Sequence, residues 1–272
     1  MTPEDYAQGD AFQAEKRTIF STWWLPVCAE SQIGRCGEFM SATVGGWGVV
    51  AVRDGQGAIH VLRNACRHQN MPVVGAPSGH CETFRCRFHG WTYDLAGKFV
   101  SAPPAVAPAD TQRAEVNLIS LPIARSAGLL FFNLAGTMPP PDLGATPPDY
   151  GGTNVTDIAC NWKVLVEHLL SAQPDRSPDF AWQWPLLTLR RAGAVVVVEQ
   201  VMPHTFLRTR LLTHVFGGPA EEHRSSSNLI KQACEHLQAD RIAGTMMPDD
   251  NALLADFNRR LGAAYAEAAA TP

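Results

Sequence analysis

The chain has 272 residues, 46% hydrophobic and 18% charged, which is enough apolar matter for one large or two ordinary domains. A formal charge of −4 with no lysine/arginine cluster argues against nucleic acid or an anionic membrane surface as a partner. No apolar run reaches bilayer length, and the acidic start Met1-Thr2-Pro3-Glu4-Asp5 lacks the order of a secretory signal, so a cytoplasmic location is expected.

In chain order, helix formers behind Asp10 predict a short helix over residues 10–20, and Trp23, Trp24, Leu25 and Val27 a strand. From Phe39 to Leu62, β-branched runs broken by Gly45-Gly46 and Asp54-Gly55 read as hairpins. After the turn at Asp94 to Gly97 comes a stiff Pro-rich connector (Ala102 to Pro108), and strands are expected at Val116 to Ile123 and Leu129 to Leu134. The prolines between Pro139 and Pro148 mark a linker, placing domains at 1–150 and 151–272. The second domain should open with an amphipathic helix from Cys160 to Leu170, ended by Pro174 and Pro178. Strands at Ala194 to Met202 and Thr205 to Phe216 follow, then helices from Ser225 to Ala239 and from Asp249-Asp250 onwards, the last with Leu253, Leu254, Phe257 and Leu261 on one face. The fold class is α+β: a β-rich domain, a linker, then an α+β domain.

Two short stretches carry the chemistry. Cys66-Arg67-His68 and Cys86-Arg87-Phe88-His89 each supply one thiol and one imidazole, here expected at hairpin tips. Two thiolates on one iron and two imidazoles on the other form the ligand set of a Rieske [2Fe–2S] cluster. Tetrahedral zinc accepts the same four groups, although its usual spacings pair Cys with Cys and His with His. Cys28, Cys36, Cys81, Cys160 and Cys234 read as reduced thiols. Arg67 and Arg87 flank the ligands and would either face a partner's carboxylates or simply be solvated, and Tyr93 is a candidate donor to a ligand sulfur.

These residues resemble the oxygenase component of Rieske non-heme iron oxygenases, the ring-hydroxylating and N-demethylating group. Glu15 to Trp24, the two ligand loops, Gly128 to Leu134, Asn161-Trp162-Lys163 and Cys234 to Gln238 all fall where that family has similar segments. Respiratory Rieske proteins are less similar, because their loop disulfide would need cysteines where Met71 and Phe88 stand. The resemblance implies an N-terminal all-β Rieske domain and a helix-grip-like α+β domain, a reductase or ferredoxin as electron donor, and a trimer-based assembly. It also implies a mononuclear iron in a two-His-one-carboxylate triad in the second domain.

The chain departs from that pattern where the triad should be. The expected histidine positions fall on Pro174 and Asp179, the third ligand on Ile230, and the bridging carboxylate on Ser171 or Ala172. Shifting the alignment by one residue brings Asp175 and Phe180 to the histidine positions, and no histidine lies between His168 and His204. The segment leading to Trp184-Pro185 is also shorter than in the family. The expectation is therefore a chain with a [2Fe–2S] cluster on Cys66, His68, Cys86 and His89, without mononuclear iron, assembled with a catalytically competent subunit in a hetero-oligomer. Two alternatives stay open: a complete oxygenase with a non-standard iron site, and a structural subunit whose cluster only stabilises the fold. For the former, His204, His214, His223 or His236 would have to combine with Asp179 or Glu167. Glu167-His168 is not expected to work as an acid/base pair, since neighbouring residues on a helix diverge.

Overall fold

The computed structural model describes residues 1–109, 115–147, 149–173, 177–246 and 251–270. Two helices open the chain, α1 (Pro3–Ala7) and α2 (Gly9–Thr18), where one over residues 10–20 is expected from the sequence. Pro3 sits in the first turn of α1, where its missing N–H leaves no hydrogen bond unmade.

The first half then builds three small antiparallel sheets. β1 (Leu25–Ala29) pairs with β10 (Leu129–Phe132), which also pairs with β9 (Ile123–Ser126). β2 (Glu38–Val44) lies between β3 (Trp47–Arg53) and β5 (Ser78–His80), with β4 (Ile59–Arg63) beyond β3. The β2–β3 turn uses Gly45 and Gly46 at φ of 56° and 76°, and a Cβ on Gly45 would meet the Phe20 ring at 2.4 Å, so the turn needs glycine twice over. β6 (Phe84–Arg85), β7 (Thr92–Tyr93) and β8 (Phe99–Ser101) form the third sheet. The strand expected from Val116 reduces to one bridge, Ser120 to Leu62. Leu118 N–H bonds the turn carbonyl of Gly97 and Leu121 N–H bonds Val61, so regular pairing starts only at Ile123.

The second half is one antiparallel sheet in the order β11-β15-β14-β13-β12, with three helices. β11 (Tyr150–Ile158) begins where the Pro-rich run ends, and β14 (Val195–Thr205) with β15 (Arg208–Phe216) is the long hairpin that the valine run announces. β12 (Phe180–Gln183) and β13 (Leu187–Ala192) are strands that the pattern does not announce, because Trp184-Pro185 interrupts a short apolar stretch. One face of the sheet, through Leu187, Leu189, Val196, Val198 and Phe216, packs on Trp24, Leu129 and Phe131 from the β1–β10–β9 sheet. The Gln200 amide crosses this seam to the Pro26 carbonyl at 2.9 Å. On the other side, Val201 and Leu211 join a core with α3 (Trp162–Ser171) and with Leu254, Phe257 and Leu261 of α5 (Ala252–Ala270). α4 (Arg224–Ile242) packs along β11.

The N-terminal helices lie against this second half, α1 on α4 and α2 on α5, although they precede the β-rich domain in sequence. A buried polar seam fixes them. The Glu15 carboxylate, fully buried, accepts from Trp162 Nε1 at 2.6 Å, from the Tyr265 hydroxyl at 2.6 Å and from Lys163 Nζ. Asn161 caps α3 through its side chain onto Lys163 N–H at 3.0 Å and ties its own amide to the Phe206 carbonyl. The Asn161-Trp162-Lys163 run is thus a helix start that delivers two donors to one carboxylate. Among the described residues no helix is long and apolar enough to cross a membrane.

Candidate metal centre

The two ligand loops are built alike. Cys66 N–H bonds the Met71 carbonyl and Asn70 N–H returns to Cys66, while Cys86 N–H bonds Trp91 and Gly90 N–H returns to Cys86. The fifth position of each loop takes a left-handed backbone, Asn70 at φ 57° and Gly90 at φ 71°, residue types that tolerate it. Asn64, which the sequence reading did not single out, pins the first loop: its Oδ1 accepts from Val73 and Val74 N–H, both at 2.9 Å. An Asn directly after a strand and ahead of a turn was the available signal.

These loops bring Cys66, His68, Cys86 and His89 together. Both thiols are buried at 1% and 2% exposure, and the two sulfurs lie close enough to influence each other's protonation. The two imidazoles meet edge to face with ring centroids 4.7 Å apart. His68 stacks at 5.1 Å and 11° on Trp91, whose indole N–H is held by the Val106 carbonyl at 2.9 Å, so the second loop orients the first loop's histidine. The arrangement is a thiol pair beside an imidazole pair. Among the described residues no three His, Cys, Asp or Glu side chains converge on a single ion position.

The donor chemistry fits a two-iron group. Nδ1 of His68 is buried and has no hydrogen-bond partner among the described residues, an arrangement that is costly unless something binds there. Burial pushes the Cys66 thiol up, and hydrogen bonds from Tyr93 and from the His68 backbone act in the opposite sense, favouring thiolate. The Tyr93 oxygen lies 3.3 Å from Cys66 Sγ and accepts the Arg67 N–H at 3.1 Å, which leaves its proton for the sulfur. Tyr93 therefore sits where the sequence reading wanted a donor. Arg67 and Arg87 are exposed, and Cys81 and Cys36 line a separate cavity of about 410 Å³ with His80 and Asp54.

In the second half, Ser171 stands at the position where the resemblance expects the bridging carboxylate, and Asp179 and Ile230 at those of two iron ligands. Ser171 closes α3 with its hydroxyl on the His168 carbonyl at 3.0 Å. Asp179 is exposed in the turn before β12, and Ile230 packs against the core. Pro174 and Asp175 lie outside the described residues. Of the groups considered as replacements, Glu167 and His214 are engaged, whereas Nε2 of His204 is buried without a hydrogen-bond partner among the described residues. Glu167 accepts from Arg241 Nε at 3.0 Å and from the Tyr6 hydroxyl; burial pushes its carboxyl up while these partners pull it down. His214 is fully buried, bonded to Thr153 Oγ1 at 2.8 Å and Gln200 Oε1 at 2.9 Å, and burial holds its imidazole down to about 3. Burial lowers the His168 imidazole, and the charge of Glu199 acts in the opposite sense.

Residues 23–121, which contain both loops, match the Rieske [2Fe–2S] domain family. The biphenyl dioxygenase subunit alpha of Metapseudomonas furukawaii is 30% identical over 195 residues, covering 63% of this chain and 43% of that protein. This chain is a relative of the Rieske oxygenase alpha subunits. Like those subunits, it joins a Rieske β domain to an α+β domain. The N,N-dimethyl phenylurea N-demethylase subunit alpha of Sphingobium sp. (strain YBL2) is 40% identical over 92 residues, 34% of this chain and 20% of that one. The apo quaternary ammonium Rieske monooxygenase CntA shares the fold with a TM-score of 0.76 at 18% identity, over 97% of this chain and 94% of that structure. The chain spans less than half the length of the curated relatives it matches.

Proposed function

We propose that this protein is the iron–sulfur subunit of a multi-component Rieske oxygenase, a relay between a reductase or ferredoxin and the mononuclear iron of a catalytic partner subunit. Cys66 and Cys86 would hold one iron of a [2Fe–2S] group, and His68 and His89 the other. One-electron transfer is the chemistry such a group supplies when bound. The protein's own residues set its surroundings. Tyr93 and the His68 N–H direct hydrogen bonds at the Cys66 sulfur, Trp91 keeps the His68 ring in place, and the half-buried imidazoles form the edge that a partner can approach.

The observation that carries the relay reading is the contrast between the two halves. Four donors of the cluster type meet in the first, while Asp179 and Ile230 stand at two of the triad positions of the second and Ser171 at the position of the bridging carboxylate. The experiment is co-purification of the native protein followed by replacement. The partner's turnover with reductase is expected to vanish when Cys86→Ser, folded and still assembled, replaces the wild type. Full activity with that cluster-free variant would favour the structural-subunit reading instead, and turnover by the lone chain would favour a complete oxygenase.

A further inference from the structure

We propose that the cavity at the end of the β14–β15 hairpin is a binding site for a small monocarboxylic acid. This cavity, of about 580 Å³, opens where the end of β11, the hairpin end and α4 meet. Its volume lies in the range of small-molecule sites. Asp157 of β11, His204 of β14, Arg208 and Arg210 of β15, and Lys231 and Glu235 of α4 line it. Ile230 packs against the core and does not line it, so the cavity is separate from the position on α4 where the resemblance expects an iron ligand. The hairpin register runs from Pro203 opposite Thr209 to Thr205 opposite Arg208, which leaves His204 as an extra residue on β14. A bulge of this kind takes a side chain out of the alternation of its strand. Here it brings an imidazole to the cavity wall, where Nε2 is buried without a hydrogen-bond partner among the described residues. Such an atom is costly unless something binds to it.

The charges in the cavity select the ligand. Both Asp157 oxygens accept from Arg210, at 2.7 and 3.1 Å, and Glu235 Oε1 accepts the Ala159 N–H at 3.1 Å, so the two acids are engaged. Lys231 stands off Glu235 at 3.9 Å, and the exposed Arg208 guanidinium has no partner among the described residues. The groups left for a ligand are therefore donors. Burial and the charge of Arg210 lower the His204 imidazole while Asp157 acts in the opposite sense, so the ring is neutral near pH 7 and adds an N–H without a charge. Three basic side chains against two carboxylates leave one positive charge in excess, which a single carboxylate balances and a phosphate dianion exceeds. The guanidinium fork also matches a carboxylate through paired hydrogen bonds. Ile158 and Ala159 beside these donors give the body of the acid an apolar wall.

The test is a calorimetric titration of the native protein with benzoate at low salt. Benzyl alcohol serves as the uncharged counterpart and inorganic phosphate as the competing anion. One benzoate per chain is expected to bind, with benzyl alcohol and phosphate at least about tenfold weaker. Arg208→Gln should weaken benzoate about tenfold or more, because it removes a charge-assisted contact at an exposed position that the fold does not use. His204→Phe, which keeps a ring at the bulge without a polar atom, should weaken it severalfold. Arg35→Gln removes an equally exposed arginine in the first half and should leave binding unchanged. Far-ultraviolet circular dichroism shows that each variant compared is folded. No benzoate binding by the wild type up to about 10 mM, or binding that ignores both Arg208→Gln and His204→Phe, overturns the site. Phosphate binding as tight as benzoate overturns the assignment to a monocarboxylic acid.

Discussion

Replacing Glu15 with alanine removes the one acceptor shared by Trp162, Lys163 and Tyr265. Both partners of the Glu15–Lys163 pair are at 0% side-chain exposure, so Lys163 would keep a buried charge with no counter-ion. Breaking a buried ion pair from one side costs about 3–5 kcal/mol, and each orphaned donor adds roughly 1–3 kcal/mol before the site relaxes or admits water. Relaxation makes these terms overlap rather than add, so a loss of about 4 kcal/mol is expected, a large share of the roughly 5–15 kcal/mol that holds a folded domain. The assay is urea unfolding followed by far-ultraviolet circular dichroism, comparing Glu15→Ala, Lys163→Met and the double variant. Removing both charges together should recover at least half of the single-variant loss, because the double variant buries no unpaired ion. A loss below about 1 kcal/mol for Glu15→Ala, or a double variant as unstable as the single one, would refute the claim that this seam anchors α2 to the second half.

Three further outcomes are expected. Tyr93→Phe removes the hydrogen bond to Cys66 Sγ, and at about 0.5–1.5 kcal/mol this lowers a one-electron reduction potential by roughly 20–60 mV in a redox titration; an unchanged potential would contradict the assignment. His214, held neutral down to about 3 against 6.5 for the unperturbed imidazole, binds its proton more readily in the unfolded chain, so stability is full above pH 6.5 and falls as pH drops towards 3. At pH 5 this one residue accounts for about 2 kcal/mol, and urea midpoints of His214→Gln should therefore fall less steeply with acid than those of the wild type; parallel slopes would contradict it. Asn64→Ala frees Val73 and Val74 N–H from their shared acceptor, and should accelerate amide exchange at both while leaving β14 and β15 protected.

Much of this was readable from the residues. The valine run announced β14, the leucine and phenylalanine spacing announced α5, and the two Cys/His stretches announced the loops that meet in space. What escaped has physical reasons. β12 and β13 are short and carry Trp184-Pro185 between them, so no period could accumulate. The Val116 to Ile123 segment has strand composition, but its hydrogen bonds are divided between a turn and β4, a tertiary choice that composition does not encode. Glu15 looked like an ordinary helix-former, since its three donors come from residues 162, 163 and 265, beyond any local window.

The central claim is that this chain holds a cluster and no catalytic iron of its own, and iron counting tests it most directly. Anaerobically purified protein, assayed for iron and acid-labile sulfide per chain and examined by EPR after reduction, should contain about two irons, about two sulfides and a Rieske signal. About three irons per chain, with a separate ferrous site that responds to oxygen or substrate, would contradict the account.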